Sequence, residues 1–357
     1  MKTHKRVEKL WHLTAPKLNG MIITSPENVR YLSGFSGTEG MLLLTRKEGF
    51  FLTDGRYTTQ AQEQVKGFTI ITFKEKWKEA GRIIKKLGVA SLGFESRNIT
   101  VAAFRDFEKE CMSIELLPQA EGFDNLRAVK DADEIRILKK AACIAAESLR
   151  VAVALIRPGI REMDIAVELE HQMRKRGGAA SAFQTIIASG YRSALPHGVA
   201  SQKKIKRGEF LTIDYGTLYK GYCSDETCTF VIGEPTKKQK RIYETVKKAH
   251  DLALRTCAPG KDFKVIDAAA RKYIARQGYA RYFNHGTGHG IGLCVHEPPT
   301  ISFRSKARAQ KGMVFTIEPG IYIPCWGGVR IEDTVVVISQ GCEVITKTDK
   351  NLQCVGI

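Results

Sequence analysis

The sequence has no CxxC pair, no HExxH helix, no GxxxxGK[ST] phosphate loop and no long unbroken apolar run. Each gap removes a class of protein. Nine cysteines, odd in number and scattered, argue against a disulfide framework or a zinc knuckle and point to reduced thiols in a cytosol-like compartment. Without HExxH the single-zinc protease plan is absent. The most apolar stretch, residues 141–156, is broken by Glu147, Ser148 and Arg150, short of the about 18 apolar residues that mark a membrane helix. Residues 1–20 are basic but lack the apolar core of a signal peptide. There is no proline-rich linker, low-complexity tract or short repeat. The expectation is a cytoplasmic protein with no membrane partner.

Acidic residues are also scarce: 38 Asp and Glu stand against 56 Lys and Arg, a formal charge of +18. Such an excess can mark a nucleic-acid binder. Here the basic residues are spread over 74–86, 203–207 and 237–248, without interleaved aromatics or a Cys/His finger. No specific nucleic acid is expected. An affinity for anionic surfaces explains the charge as well.

What is present suggests two domains, since 357 residues with 43% hydrophobic content exceed the rough norm of about 150 per domain. The boundary is expected near 122–129, giving residues 1–122 and 123–357. In the first part, strands are predicted at 20–24, 41–45, 50–53, 68–73 and 91–94, with helices at 56–65 and 75–87. That alternation predicts an α/β unit, a mixed or parallel sheet covered by helices. Asp54-Gly55-Arg56-Tyr57 reads as a strand-to-helix turn with an Asp cap. In the second part, Asp131 and Glu134 have the spacing of a capping box, opening a helix toward Ile156 that Pro158-Gly159 stops. Helices are also predicted at 164–176, ended by Gly177-Gly178, and at 239–258 and 263–277.

Residues 210–218 and 221–232 look like two strands around Tyr219-Lys220. With those two residues as a tight loop, Asp214 falls directly opposite Asp225, their Cβ atoms about 4.5–5.5 Å apart. Like charges so placed need a cation between them, and a dinuclear metal centre with ions about 3.5–4 Å apart supplies one. The plainer alternative is a pair of solvated carboxylates. The apolar setting Leu211-Thr-Ile-Asp-Tyr215 argues against it.

A second cluster spans 285–332: His285-Gly286-Thr287-Gly288-His289, then His296-Glu297, Glu318 and Glu332. Imidazole and carboxylate are the usual ligands of zinc, manganese or cobalt. Glu318 and Glu332 are equidistant from Cys325, so a hairpin turning near 324–328 brings them face to face, with Gly327-Gly328 leaving the register open by a residue. Two Asp, two Glu and one His suit two hard or borderline ions better than one tetrahedral zinc.

At these residues the sequence resembles the metallopeptidase family with the pita-bread fold, which includes Xaa-Pro aminopeptidases, prolidases and methionine aminopeptidases. The resemblance covers about 124–357 and rests on Leu195-Pro-His-Gly198, Ile213-Asp214, Ser224-Asp225, His285-Gly-Thr-Gly-His289, Val295-His296-Glu297, Ile317-Glu318-Pro-Gly-Ile-Tyr322 and Arg330-Ile-Glu-Asp333. Gly328-Val-Arg-Ile-Glu-Asp-Thr334 is similar to the prolidase and aminopeptidase P branch. So are Asn28-Val-Arg-Tyr-Leu-Ser-Gly-Phe-Ser-Gly37 and Phe51-Leu-Thr-Asp-Gly-Arg-Tyr57, which resemble that branch's extra N-terminal domain. The resemblance implies a creatinase/prolidase-like α/β domain followed by a pita-bread catalytic domain.

It further implies two divalent ions per subunit, Mn2+ first with Co2+ or Zn2+ as alternatives, held by Asp214, Asp225, His289, Glu318 and Glu332. Asp225 and Glu332 would bridge them. Glu318 is the implied general base, His296 the oxyanion partner, and His197 an aid to substrate placement. His285 and Tyr322 would line the proline side, and Arg330 would orient Glu332 or a substrate carboxylate. The substrates implied are peptides with proline second, and the assembly a homodimer. The compact chain is similar to short bacterial Xaa-Pro peptidases, which points to an aminopeptidase; a dipeptidase is the alternative. A non-catalytic pita-bread protein binding RNA or protein is the alternative of another class. Two positions depart from the pattern: Cys228 stands where an arginine is common, and Cys294 is an unusual occupant two before His296.

Overall fold

The computed structural model describes residues 2–14, 17–120 and 122–356, and the chain divides into two compact units, Met1–Arg127 and Ala128–Ile357. The first contains α1 (Lys2–Leu13), β1 (Gly20–Ile23), α2 (Pro26–Ser33), β2 (Met41–Thr45), β3 (Gly49–Asp54), α3 (Thr58–Gln64), β4 (Thr69–Phe73), α4 (Lys76–Lys86), β5 (Ser91–Glu95), α5 (Val101–Glu110), β6 (Glu115–Gln119) and α6 (Gly122–Leu126). Its strands form one sheet in the order β4-β3-β2-β1-β5-β6. β1, β2 and β3 pair antiparallel, whereas β4, β5 and β6 join parallel. The sheet is therefore mixed, as the alternation of elements predicts. Ile22, Met41, Leu43, Leu52 and Leu92 pack against Ile83 and Ile84 of α4 and Phe107 of α5.

Asp54 caps a 3-10 turn at Gly55–Tyr57 by accepting from the Arg56 amide at 2.9 Å. That is a structural role, as its sequence setting suggests. Several elements of this unit lack a sequence signal, α2, α5 and β6 among them. α2 is one short span opening on proline, α5 buries only Phe107 fully, and β6 carries Pro118. Asn28 also serves the fold: its amide donates to the buried Glu95 at 2.5 Å, which also accepts from the Ser25 amide at 2.7 Å.

The second unit opens with α7 (Ala132–Val153) and α8 (Glu162–Lys175). Asp131 accepts from the Asp133 and Glu134 amides at 2.9 and 3.0 Å, and Glu134 returns to the Asp131 amide at 2.9 Å. The capping box is formed. Strands β7 (Ala180–Ser181), β8 (Ile186–Ser189), β9 (Phe210–Tyr215), β10 (Thr217–Tyr219), β11 (Tyr222–Cys223) and β12 (Glu226–Ile232) follow. Helices α9 (Lys237–Thr256) and α10 (Phe263–Arg276) then lead to β13 (Gly288–Gly290), β14 (Glu297–Ile301), β15 (Val314–Ile317), β16 (Gly320–Ile323), β17 (Gly327–Arg330), β18 (Asp333–Val337), β19 (Cys342–Val344) and β20 (Gln353–Val355).

Two sheets dominate, ordered β20-β12-β9-β8 and β14-β13-β15-β18-β19. α7 and α8 cover the first through Ile144, Leu149, Ile165 and Leu169 against Ile187, Leu211, Ile213 and Phe230. α9 and α10 cover the second through Ile242, Val246, Phe263 and Ile266 against Phe315, Ile317 and Val335. β12 of the first sheet meets β17 and the residues leading into β18 where the Glu332 amide donates to the Thr227 carbonyl at 3.2 Å, and where Thr229 and Arg330 exchange bonds of 2.9 and 3.2 Å. Among the described residues no helix is long and apolar enough to cross a membrane.

One predicted register is corrected. The tight loop is Lys220-Gly221, not Tyr219-Lys220: Tyr219 pairs with Tyr222, and both loop residues have positive φ, 48° and 81°. This matches the left-handed pair that a two-residue hairpin turn requires. Asp214 therefore lies opposite Thr227, and Asp225 is its diagonal neighbour rather than its direct partner. The slip is of even parity, so both carboxylates stay on one face.

Candidate active site

Each acidic side chain enters the site from a strand or a strand end. Asp214 projects from β9, and Asp225 lies just before β12. Ile317 pairs with Asp333 in one ladder and Gly320 with Arg330 in the next. Continuing either ladder brings Glu318 opposite Glu332, so the two glutamates fill the gap between two ladders of a single register. His289 is the centre of β13, between Gly288 and Gly290. A Cβ at Gly288 would lie 1.9 Å from the Thr316 carbonyl oxygen, and one at Gly290 2.3 Å from that of Pro298. Both glycines are needed for β13 to sit between its neighbours.

Asp225, His289 and Glu332 each bring a ligand-type atom within 4.8 Å of the others. His289 Nε2 is 3.6 Å from Asp225 Oδ2 and 3.4 Å from Glu318 Oε1. Hydroxyls orient the carboxylates: Thr227 donates to Glu332 at 2.6 Å and Thr316 to Glu318 at 3.2 Å. Asp214 Oδ2 accepts from Arg330 at 2.6 Å, while its Oδ1 is buried without a hydrogen-bond partner.

The electrostatics are those of a cluster short of positive charge. Burial raises Asp225 well above the usual carboxylate range, and Glu332, Asp214 and Glu318 push it further. Glu332 is raised well up by burial and then by Glu318 and Asp214; Glu318 is raised chiefly by burial. Burial lowers His289. Its Nδ1 lies 3.2 Å from the Gly290 carbonyl, which only accepts, so the neutral ring carries its proton there and turns the Nε2 lone pair to the carboxylates. Four carboxylates and a lone pair thus share one nearby guanidinium, and it bonds Asp214 alone of the four. The donor set, the orphaned Asp214 oxygen and the His289 tautomer all fit a pair of hard divalent cations.

The cleft over this cluster holds about 670 Å³ and is lined by Phe183, Ile186, Val199 and Val295 as well as the polar groups. His197 and His296 are exposed on it, and the His296 ring lies 4.1 Å from that of His289 between centroids. Burial lowers His296, as does the neighbouring His289. His285 Nδ1 is 2.7 Å from the Gly286 carbonyl and its Nε2 3.0 Å from the Tyr322 hydroxyl. Burial lowers His285 and raises Tyr322 to about 12. The direction of the chain is then fixed: Arg330 donates to Tyr322 at 2.9 Å, and Tyr322 to His285.

Of the two partners expected for Arg330, Glu332 or a substrate carboxylate, Glu332 is reached only through the Thr227 hydroxyl. The guanidinium bonds Asp214, Tyr322, the Pro196 carbonyl at 3.0 Å and the Thr227 hydroxyl at 3.1 Å, and makes no hydrogen bond to Glu332. Burial disfavours that charge, yet Tyr322, Asp214 and Glu318 raise Arg330 well above its ordinary value. Cys228 is buried beside Lys350, outside the carboxylate cluster, and burial pushes its thiol up to about 12. Cys294 is half-buried, with its amide 3.5 Å from Glu297. The sequence reading missed Thr227 and Thr316. Each stands two residues from a site carboxylate on the same strand face, which is the signal that would have found them. It also missed Arg271, which holds the His285 carbonyl at 2.6 Å.

An acidic, lone-pair-rich cluster between two helix-covered sheets defines a metal-dependent protein. The chain belongs to metallopeptidase family M24, whose model matches residues 136–339, and the Creatinase/Prolidase N-terminal domain matches residues 6–129. It is a pita-bread metallopeptidase of the prolidase and aminopeptidase P branch. The structure of an Xaa-Pro dipeptidase from Bacillus anthracis superposes with a TM-score of 0.96 at 42% identity, covering 99% of this chain and 100% of that one. An Xaa-Pro dipeptidase from Pyrococcus furiosus is 39% identical over 98% of this chain and 99% of its own. An X-Pro aminopeptidase structure from Thermotoga maritima gives a TM-score of 0.89 at 35% identity, covering 95% and 98%.

Proposed function

We propose that the chain is a two-metal peptidase that hydrolyses the bond before proline, with Xaa-Pro dipeptides as its substrates. The carrying observation is the cluster of Asp214, Asp225, His289, Glu318 and Glu332, whose uncompensated charge and free lone pairs suit two divalent ions. Manganese fits so oxygen-rich a set best, with cobalt and zinc as alternatives. The filled ligand positions also weigh against a non-catalytic binding protein. Among similar proteins, the names given to relatives near 40% identity favour the dipeptidase over the aminopeptidase that the sequence alone suggests.

Bound in this cluster, two divalent ions supply the acidity that makes hydroxide available near neutral pH. The chain's own residues do the rest. Glu318 takes the proton of the attacking water and delivers it to the departing proline nitrogen. His296, neutral and open to the cleft, donates its ring N–H to the oxyanion. Tyr322 and His285, ordered by Arg330, form the wall for the proline ring.

One observation favours the aminopeptidase reading. Arg330 is the sole Lys or Arg among the described residues lining the cleft, and its hydrogen bonds occupy four of five N–H groups. A dipeptide's free carboxylate thus finds no unengaged guanidinium or ammonium in that lining. Manganese-loaded protein should be offered Xaa-Pro dipeptides and Xaa-Pro-Xaa peptides side by side. Release of the first residue from dipeptides supports the main reading, and cleavage of the longer peptides alone replaces it with the second. No cleavage of either overturns both.

A further inference from the structure

Asp225 and Glu332 are each followed in sequence by another acid, Glu226 and Asp333. These open β12 and β18, and successive residues of a strand point to opposite faces. The first acid of each pair faces the cleft cluster, and the second is buried behind it. There one ammonium serves both: Lys350 Nζ bonds Glu226 Oε1 and lies 3.2 Å from Asp333 Oδ1. All three side chains are 7% exposed or less.

The segment carrying Lys350 is fitted to these acids along its length. The Thr346 hydroxyl donates to Asp333 at 2.5 Å, and the Thr348 amide donates to Glu226 at 3.0 Å. Tyr215 donates to the other Glu226 oxygen at 2.8 Å, and His250 Nε2 lies 3.2 Å from Asp333 Oδ2. The segment is anchored in turn by Tyr243, which donates to the Lys350 carbonyl at 3.1 Å, and by β20, which pairs with β12.

We propose that Lys350 is a positioning residue for the metal centre: by tying Glu226 to Asp333 it sets the spacing of the two strands that present Asp225 and Glu332. The proposal rests on reading the acidic cluster as a two-ion site. A cation behind the strands would fix carboxylate spacing without touching metal or substrate, as outer groups around metal ligands do.

The test is titration of metal-stripped protein with Mn2+ by calorimetry, with unfolding of the same metal-free samples followed by circular dichroism. Lys350→Met should weaken Mn2+ binding by about 10- to 100-fold. Lys350→Arg, which keeps the charge, should restore part of that loss. An unchanged Mn2+ affinity in folded Lys350→Met, with only the unfolding midpoint lowered, overturns the proposal. Should Lys350→Met fail to fold, Thr346→Val removes one bond to Asp333 without burying an unpaired charge. It should weaken Mn2+ by about 3- to 10-fold, and unchanged affinity there overturns the proposal equally. A wild-type chain that binds no Mn2+ instead overturns the two-ion reading, and the proposal with it.

Discussion

The Lys130 ammonium sits 2.8 Å from Glu297 Oε1, and each side chain is only 1% exposed. Lys130 precedes the cap of α7, and Glu297 directly follows His296. The pair therefore staples the start of a long helix to the strand leaving the cleft. A Cβ at Gly292 would lie 2.3 Å from the same Glu297 oxygen, so the loop closes tightly on the pair. Removing Lys130 takes an ammonium away from a carboxylate that stays buried. Lys130→Met should lower unfolding stability in urea by about 3–5 kcal/mol, and replacing both partners by apolar residues should recover most of that loss.

Glu318→Gln keeps the shape of the side chain but removes its basicity. Turnover should fall by about 10²- to 10⁴-fold. Metal analysis of the purified variant should still find bound ions. Turnover near the wild-type rate would remove Glu318 from the proton transfer.

The two exposed histidines should separate kinetically. His296→Ala should lower kcat by about 10²- to 10³-fold, as loss of an oxyanion donor does. His197→Ala should act mainly on KM. Steady-state rates across a series of Xaa-Pro substrates distinguish the two patterns.

Thr227 serves two partners at once, donating to Glu332 and accepting from Arg330 Nε. Thr227→Val should weaken Mn2+ binding by about 10-fold or more. Thr227→Ser should restore it, because the hydroxyl alone makes both bonds. Calorimetry on the metal-stripped proteins measures this.

Asp251 gives an acid-side stability term away from the cleft. Burial raises its carboxyl, but His250 and Lys247 outweigh that and hold it at about 2, below its ordinary 3.8. The stabilisation is present above the unfolded value and is lost as pH falls from 3.8 toward 2. Asp251→Asn should flatten the stability profile in that window, by less than about 1 kcal/mol because solvent reaches the half-buried carboxyl and screens its partners. Urea midpoints from pH 5 to pH 2 test it.

The carboxylates of the site were legible because their spacing encodes geometry. Glu318 and Glu332 stand at equal distances from a turn, and the alternation of a strand keeps Asp214 and Asp225 on one face. The turn itself was less so: Lys220 accepts a left-handed φ of 48°, which little in its chemistry foretells. Thr227, Arg271, Lys130 and Lys350 were illegible for another reason. Each is a common residue whose meaning comes from a distant contact, as with Lys130 and Glu297, 167 positions apart. In the first unit β1 to β5 were read from short apolar runs, whereas β6, with its proline, and α5, with one fully buried side chain, gave no such pattern.

The shared register of the two ladders on either side of Glu318 and Glu332 has a bearing on which length changes the molecule tolerates. The chain reverses through three residues between Ile323 and Gly327, with Cys325 at a φ of 60°. One residue inserted or removed there would slide one strand past the other by a single step and turn one glutamate away from its partner. The sheet hydrogen bonds could re-form after such a slip; the paired carboxylates could not. The tip of this hairpin, itself outside the cleft, is thus bound by the same length constraint as the ligands it spaces.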